Sequence, residues 1–233
     1  MSSEFLTQLL MVIGIDIILG GDNAIVVALA CRNLPPHLRN KAIVLGILLA
    51  IAARGVLTLV AVELLAIPYL MSIGGILLLW IAYRLLVSAE EEHSISSKPR
   101  VRDAIKTIVV ADIVMGFDNV LAIAGVAQGN GLIALIGLVI SVPIIIWGSK
   151  IILFLMKKFP FIIYIGSAIL VYTAAKMILH EQVIQEWIHS LGLSNGMFIY
   201  LLIAFILFIG WAINHIKGIE FFHTLRFSRN KKQ

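Results

Sequence analysis

The sequence predicts an all-α polytopic membrane protein of seven transmembrane helices, arranged as two inverted three-helix repeats plus a seventh helix. Three observations predict it. The chain is 61% hydrophobic and only 13% charged, against roughly 45–50% and about 25% in soluble domains. Seven of its stretches reach the roughly 20 apolar residues that a spanning helix needs. An acidic motif in the first stretch returns in the fourth. A single core in a 233-residue chain has no room for so much apolar side chain, which excludes a soluble enzyme, a disordered protein and a fibrous repeat.

In chain order the spans are 5–30, 42–64, 69–88, 104–127, 131–155, 160–179 and 197–217. Repeat one covers 5–88, repeat two covers 104–179, and 197–217 is the extra helix; together they form one transmembrane domain. The opening Met1-Ser2-Ser3-Glu4 has no basic n-region, so the first span is expected to be retained. Short connections such as Ala66-Ile67-Pro68 and Gln128-Gly129-Asn130-Gly131 force antiparallel neighbours. Pro35-Pro36, Pro68 and Pro160 fall at span edges, where the missing N–H costs least, whereas Pro143 lies within the fifth span and should kink it. The 180–196 connection, with Gln182, Gln185, Glu186 and Trp187 among apolar residues, reads as an amphipathic segment at the interface.

Charge distribution gives the orientation. Arg32, Arg39 and Lys41 follow span 1, Lys98 to Lys106 lie between spans 3 and 4, Lys157 and Lys158 follow span 5, and Arg226 to Lys232 end the chain. The alternate connections carry no Lys or Arg apart from Lys176 at the end of span 6. By the positive-inside rule the N-terminus is outside and the C-terminus cytoplasmic, in the cell (plasma or inner) membrane. The net charge of +5 is therefore a topology signal, and nucleic acid is not an expected partner. Cys31 alone excludes a disulfide framework or thiolate cluster.

The motif Asp16-Ile-Ile-Leu-Gly-Gly-Asp22-Asn23-Ala-Ile recurs 96 residues on as Asp112-Ile-Val-Met-Gly-Phe-Asp118-Asn119-Val-Leu, with five of ten positions identical. Further on, Pro68, Ile73-Gly74, Trp80 and Arg84 line up with Pro160, Ile165-Gly166, Tyr172 and Lys176. Three spans is an odd number, so the second copy enters from the opposite side, as in many secondary transporters whose sites lie at the repeat interface. Threading then puts Asp22 and Asp112 at one depth and Asp16 and Asp118 at another, all within roughly 10 Å of the bilayer centre.

Each intramembrane carboxylate costs about 2.5–3.5 kcal/mol on insertion scales, so such residues are functional by default. The alternative is a structural role, capping broken helices or pairing with Arg54. Asp and Asn offer hard oxygens, suited to Mg²⁺, Ca²⁺ or Mn²⁺. The candidate metal-binding set is Asp16, Asp22, Asn23, Asp112, Asp118 and Asn119. Gly20-Gly21 and Gly116 permit an unwound turn beside the acids that would free backbone carbonyls as further ligands.

At these residues the chain resembles the TerC family of seven-span membrane proteins, in its YjbE-like branch. The resemblance rests on Gly20–Asn23 and Gly116–Asn119, each preceded by Asp at the same distance, with Gly46 to Arg54, Ser141-Val-Pro143 and Trp147-Gly148 in support. It implies a relative of the LysE group of exporters that moves divalent cations, with Mn²⁺ efflux the expected role. Mn²⁺ is then a transported ion, no cofactor is permanently bound, and the chain is not an enzyme. The expected partners are the metal ion and the bilayer, with room for a homo-oligomer. Two further classes stand beside this: an exporter of a small organic solute such as an amino acid, and a non-transporting membrane scaffold. No GxxxxGK[ST] loop is present, so ATP is not expected to drive it.

Other polar residues have plainer readings. Arg54 sits mid-span and is expected to act as counter-ion to one Asp; its counterpart in the second half is an isoleucine. Glu63 belongs to the outer interface, Thr58 bonds its own helix and Lys150 snorkels. Glu90-Glu91-Glu92-His93 reads as a solvated charge run. His37, His180, His189, His215 and His223 lack ligand spacing.

Overall fold

Apolar runs bounded by Gly and Pro make most of the described residues helical. The computed structural model describes residues 3–65, 67–87, 100–126 and 131–230, and these form nine helices and no strand. They are α1 (Ser3–Leu19), α2 (Gly21–Cys31), α3 (Pro36–Leu65), α4 (Leu70–Val87), α5 (Val101–Val126), α6 (Gly131–Lys158), α7 (Ile162–Ile178), α8 (Gln182–Ser190) and α9 (Asn195–Asn230). Glu90 to His93 and Lys231-Lys232 lie outside the described residues, as do the side chains of Thr58, Glu63, Asp118, Asn119 and His223.

Among the described residues, four helices contain stretches long and apolar enough to cross a bilayer: Pro36–Leu57, Leu70–Val87, Ile136–Lys158 and Asn195–Ile216. A fifth crossing is available if α7 and α8, bent by 101°, count as one broken span. The chain is thus a multi-pass integral membrane protein. The seven expected spans differ from this count at two places. The first, 5–30, is cut into α1 and α2, each of which is too short to cross alone. The fourth, 104–127, falls in α5, whose side chains from 117 on lie outside the described residues, so the count does not reach it. The amphipathic 180–196 connection contains α8, which buries Ile188 and leaves Trp187 exposed.

Two glycine-rich segments behave differently. Gly20 leaves helical geometry, with φ −91° and ψ 3°, and its N–H donates to the Asp16 carbonyl at 2.7 Å. A β-carbon on Gly20 would collide with that carbonyl oxygen, so the close approach needs glycine. The expected turn at Gly116 does not form, and α5 runs unbroken through it. A lone glycine weakens a helix by only about 1 kcal/mol relative to alanine, and Phe117 follows it where Gly21 follows Gly20. Pro143 lies inside α6, which is assigned as one helix from Gly131 to Lys158.

Packing follows the small residues, as expected where lipid supplies no hydrophobic drive between helices. The principal pairs are α3 with α5, α4 with α7, and α6 with both α1 and α2. Gly46 on α3 receives Ile108 of α5, while Gly137 on α6 receives Val12 of α1. Gly75 lets α4 approach the Ala174 carbonyl of α7. Equivalent cation–π contacts close the two copies: Arg84 lies 5.3 Å from the Trp80 ring centroid and Lys176 lies 5.4 Å from that of Tyr172. Outward faces are apolar, including Leu48, Trp147, Phe154 and Phe205, which suits contact with acyl chains.

The α4–α7 contact gives a direct check on the packing. A β-carbon on Gly75 would sit 2.7 Å from the Ala174 carbonyl oxygen, whereas one on Gly14 meets nothing within 4 Å. Gly75→Val should destabilise the protein by about 1–3 kcal/mol, read as a lower melting temperature in detergent. Gly14→Ala should not lower it.

Candidate functional site

The site is assembled from five helices around one arginine. Arg54 projects from α3 into the bundle and is 2% exposed. Its Nη1 donates to Asp16 Oδ1 of α1 at 2.9 Å, and its Nη2 donates to Asp112 Oδ1 of α5 at 2.5 Å. A guanidinium can serve two carboxylates at once because its donors are fixed in a planar fork. Asp16 is fully buried, and its second oxygen accepts from the Ser141 hydroxyl of α6. The same hydroxyl also lies 2.8 Å from the Leu138 carbonyl, so its one proton serves one acceptor at a time.

Asn23 supplies the fifth element, just past the break on α2. It lines the same cavity as Asp16, Arg54, Asp112 and Ser141, is 5% exposed, and neither its Oδ1 nor its Nδ2 has a hydrogen-bond partner. Asp112 Oδ2 is likewise buried and unpartnered. Buried polar atoms are normally bonded, and each orphan costs about 1–3 kcal/mol. Here an amide oxygen and a carboxylate oxygen are orphaned in one cavity, the remaining wall of which is apolar, with Ile47, Ile108 and Leu138 among its residues.

Asp16 and Asp22 face different neighbours. Asp22 does not line this cavity; its Oδ2 accepts a long 3.4 Å hydrogen bond from Thr173 of α7, and its Oδ1 is buried without a partner. Asp16 and Asp112, threaded into different layers by helical rise, meet through Arg54. The long arginine side chain bridges positions that threading by helical rise alone would separate. The side chains of Asp118 and Asn119 lie outside the described residues. Of the six candidates, three thus share the cavity, one faces α7 and two are undescribed. Among the described residues, no group of three or more His, Cys, Asp or Glu side chains is placed to hold a metal ion. The cation between these carboxylates is the guanidinium.

Sequence reasoning assigned Arg54 one acidic partner where it has two. It also missed Ser141 and Thr173 as partners of the acids. Ser141 carried a signal, since a hydroxyl inside an apolar span must find an acceptor; Thr173 carried the same weaker one.

Comparison with known proteins agrees with an integral membrane protein. The family model described as "Integral membrane protein TerC family" matches residues 1–217. The uncharacterized membrane protein YjbE of Bacillus subtilis (strain 168) is 44% identical over 207 residues, covering 89% of this chain and 95% of the relative. The uncharacterized membrane protein YkoY of the same organism is 27% identical over 215 residues, covering 80% of this chain and 66% of the relative. No solved structure matches.

The triad's charge count yields a stability test. Removing the one cation from a buried pair typically costs about 3–5 kcal/mol, and Arg54→Leu should show a loss of that size by unfolding in detergent. Asp112→Asn leaves a one-to-one pair of Arg54 with Asp16 and should cost markedly less. Equal losses would contradict the role given to Arg54.

Proposed function

The chain belongs to the TerC family of integral membrane proteins, and from that premise we propose that it is a secondary transporter exporting hard divalent cations, Mn²⁺ first among them, from the cytoplasm. The observation that carries the proposal is the cavity shared by Asp16, Asp112 and the unpartnered Asn23 inside a membrane bundle. Intramembrane acids are costly enough to be retained for function. Carboxylate and amide oxygens favour hard divalent ions, and Mn²⁺ within that class comes from the family resemblance. Asp22, Asp118 and Asn119 are the remaining oxygens of the duplicated motif and would serve along the ion's path.

In this reading α1 and α2 together make one broken span and α5 a full one, which gives seven crossings. The first and fourth spans enter from opposite sides, with the N-terminus outside and the C-terminus cytoplasmic. Three features support the inverted repeat. The α3–α5 pairing is mirrored by the pairing of α6 with α1 and α2. Within those pairs, Gly46 with Ile108 corresponds to Gly137 with Val12, and Val12 and Ile108 are 96 residues apart like the motifs. The cation–π contacts Trp80–Arg84 and Tyr172–Lys176 are equivalent in the two copies. A broken helix at a repeat interface is a recurrent source of ion ligands in secondary transporters.

The amino-acid alternative needs a cation for the substrate's carboxylate, and Arg54 is already engaged by two acids. That favours the metal reading. Cells lacking the protein should accumulate Mn²⁺. Wild type should restore export, while Asp16→Asn and Asp112→Asn should export at least about tenfold less, the range lost when a group supporting a metal site is removed. Normal export by both variants would contradict the assignment.

A further inference from the structure

Arg54 does more than neutralise the acids. The two carboxylates and the guanidinium carry a net charge of −1 at the site. A divalent ion binding Asp16 and Asp112 with Arg54 still in place would bring it to +1, with two cations competing for the same oxygens. If Arg54 swings away, ion and carboxylates balance to zero. Both arms of the guanidinium bind the oxygens a metal would need, while the Asn23 amide and Asp112 Oδ2 stand unpartnered in the same cavity. The metal's donors are therefore present but partly occupied.

From this geometry we infer that Arg54 is a tethered substitute for the transported ion: it holds Asp16 and Asp112 when the metal has left and is displaced when the metal binds. The inference rests on the metal-transport reading above. It has two consequences. The first is that Arg54 competes with the metal, so the apparent affinity is the intrinsic affinity reduced by the fraction of sites whose carboxylates are released. The second concerns the return of the empty carrier. Alternating access requires the site to close once loaded and once empty. Closing it empty without Arg54 would seal two uncompensated carboxylates away from water, the arrangement membranes penalise. With Arg54 in place the empty site closes as a paired one, and no second cation has to ride back.

Net efflux needs the empty return, whereas exchange of Mn²⁺ for Mn²⁺ across the membrane uses only the loaded form. The full-length chain in proteoliposomes, with radioactive Mn²⁺ as the probe, separates the two. Arg54→Gln should lose net efflux by at least about tenfold, keep exchange within about twofold, and bind Mn²⁺ at least about tenfold tighter than wild type. Purification in Mn²⁺ should also stabilise this variant more than it stabilises wild type, by mass action. Arg54→Lys keeps the charge but offers one compact ammonium in place of the two-armed fork. It should retain net efflux and bind Mn²⁺ more tightly than wild type, by less than Arg54→Gln does.

Loss of both flux modes by Arg54→Gln, or retention of both, overturns the inference while leaving metal transport standing, provided wild type moves Mn²⁺. If Arg54→Gln does not yield folded protein, Arg54→Lys decides, and binding no tighter than wild type overturns it. Wild-type protein that neither binds nor moves Mn²⁺ removes the transport reading and this inference together.

Discussion

One guanidinium, buried between a carboxylate from each copy of a duplicated motif, ties the bundle together. Arg54 comes from α3, Asp16 from α1 and Asp112 from α5, and Ser141 of α6 holds the far oxygen of Asp16. In water such a pair contributes little, because desolvation offsets the attraction. In a bilayer the comparison differs, since each of these groups alone would be penalised for being there at all. The triad makes three expensive side chains tolerable together. It also fixes where the helices that carry them can sit.

The local structure is arranged to serve this contact. Gly20 breaks the first apolar run three residues before Asn23, and the Asp16 carbonyl closes the turn by accepting the Gly20 N–H. Asp16 faces Arg54 and Asp22 faces Thr173, the divergence a six-residue spacing gives along a helix. Asn23, seven residues after Asp16, returns to the same side and lines the cavity. Small residues at Gly46 and Gly137 let the flanking helices close around the polar centre on both sides. Sequence, packing and site thus form one chain of cause, and the proposed ion exchange between arginine and metal uses all three.

Much of this was legible in the residues alone. Helical membrane architecture follows from composition, and a duplicated motif is plain where Asp16 to Asn23 recurs as Asp112 to Asn119 at one spacing. The break at Gly20-Gly21 and the amphipathic character of the α8 region could be anticipated from glycine and from the mixture of Gln, Glu and Trp. What the residues could not supply was the partner choice. A helical rise gives depth but not the reach of a side chain, so Asp16 and Asp112 looked like members of different layers until Arg54 joined them. Gly116 resembled Gly20 in sequence, yet the helix around it has enough hydrogen bonds to absorb one glycine. Span counting by hydropathy read 5–30 as continuous because a break at one glycine hardly lowers the average.

The central claim is that Asp16 and Asp112 hold either the guanidinium or the metal. Anomalous diffraction at the manganese edge, from crystals of the protein grown with and without Mn²⁺, tests it most directly. The account predicts an Mn²⁺ peak against Asp16, Asn23 and Asp112 with Arg54 turned away, and Arg54 back on both carboxylates in the metal-free crystals. An Mn²⁺ peak elsewhere in the protein, or one beside Asp16 and Asp112 with both Arg54 contacts intact, would contradict it.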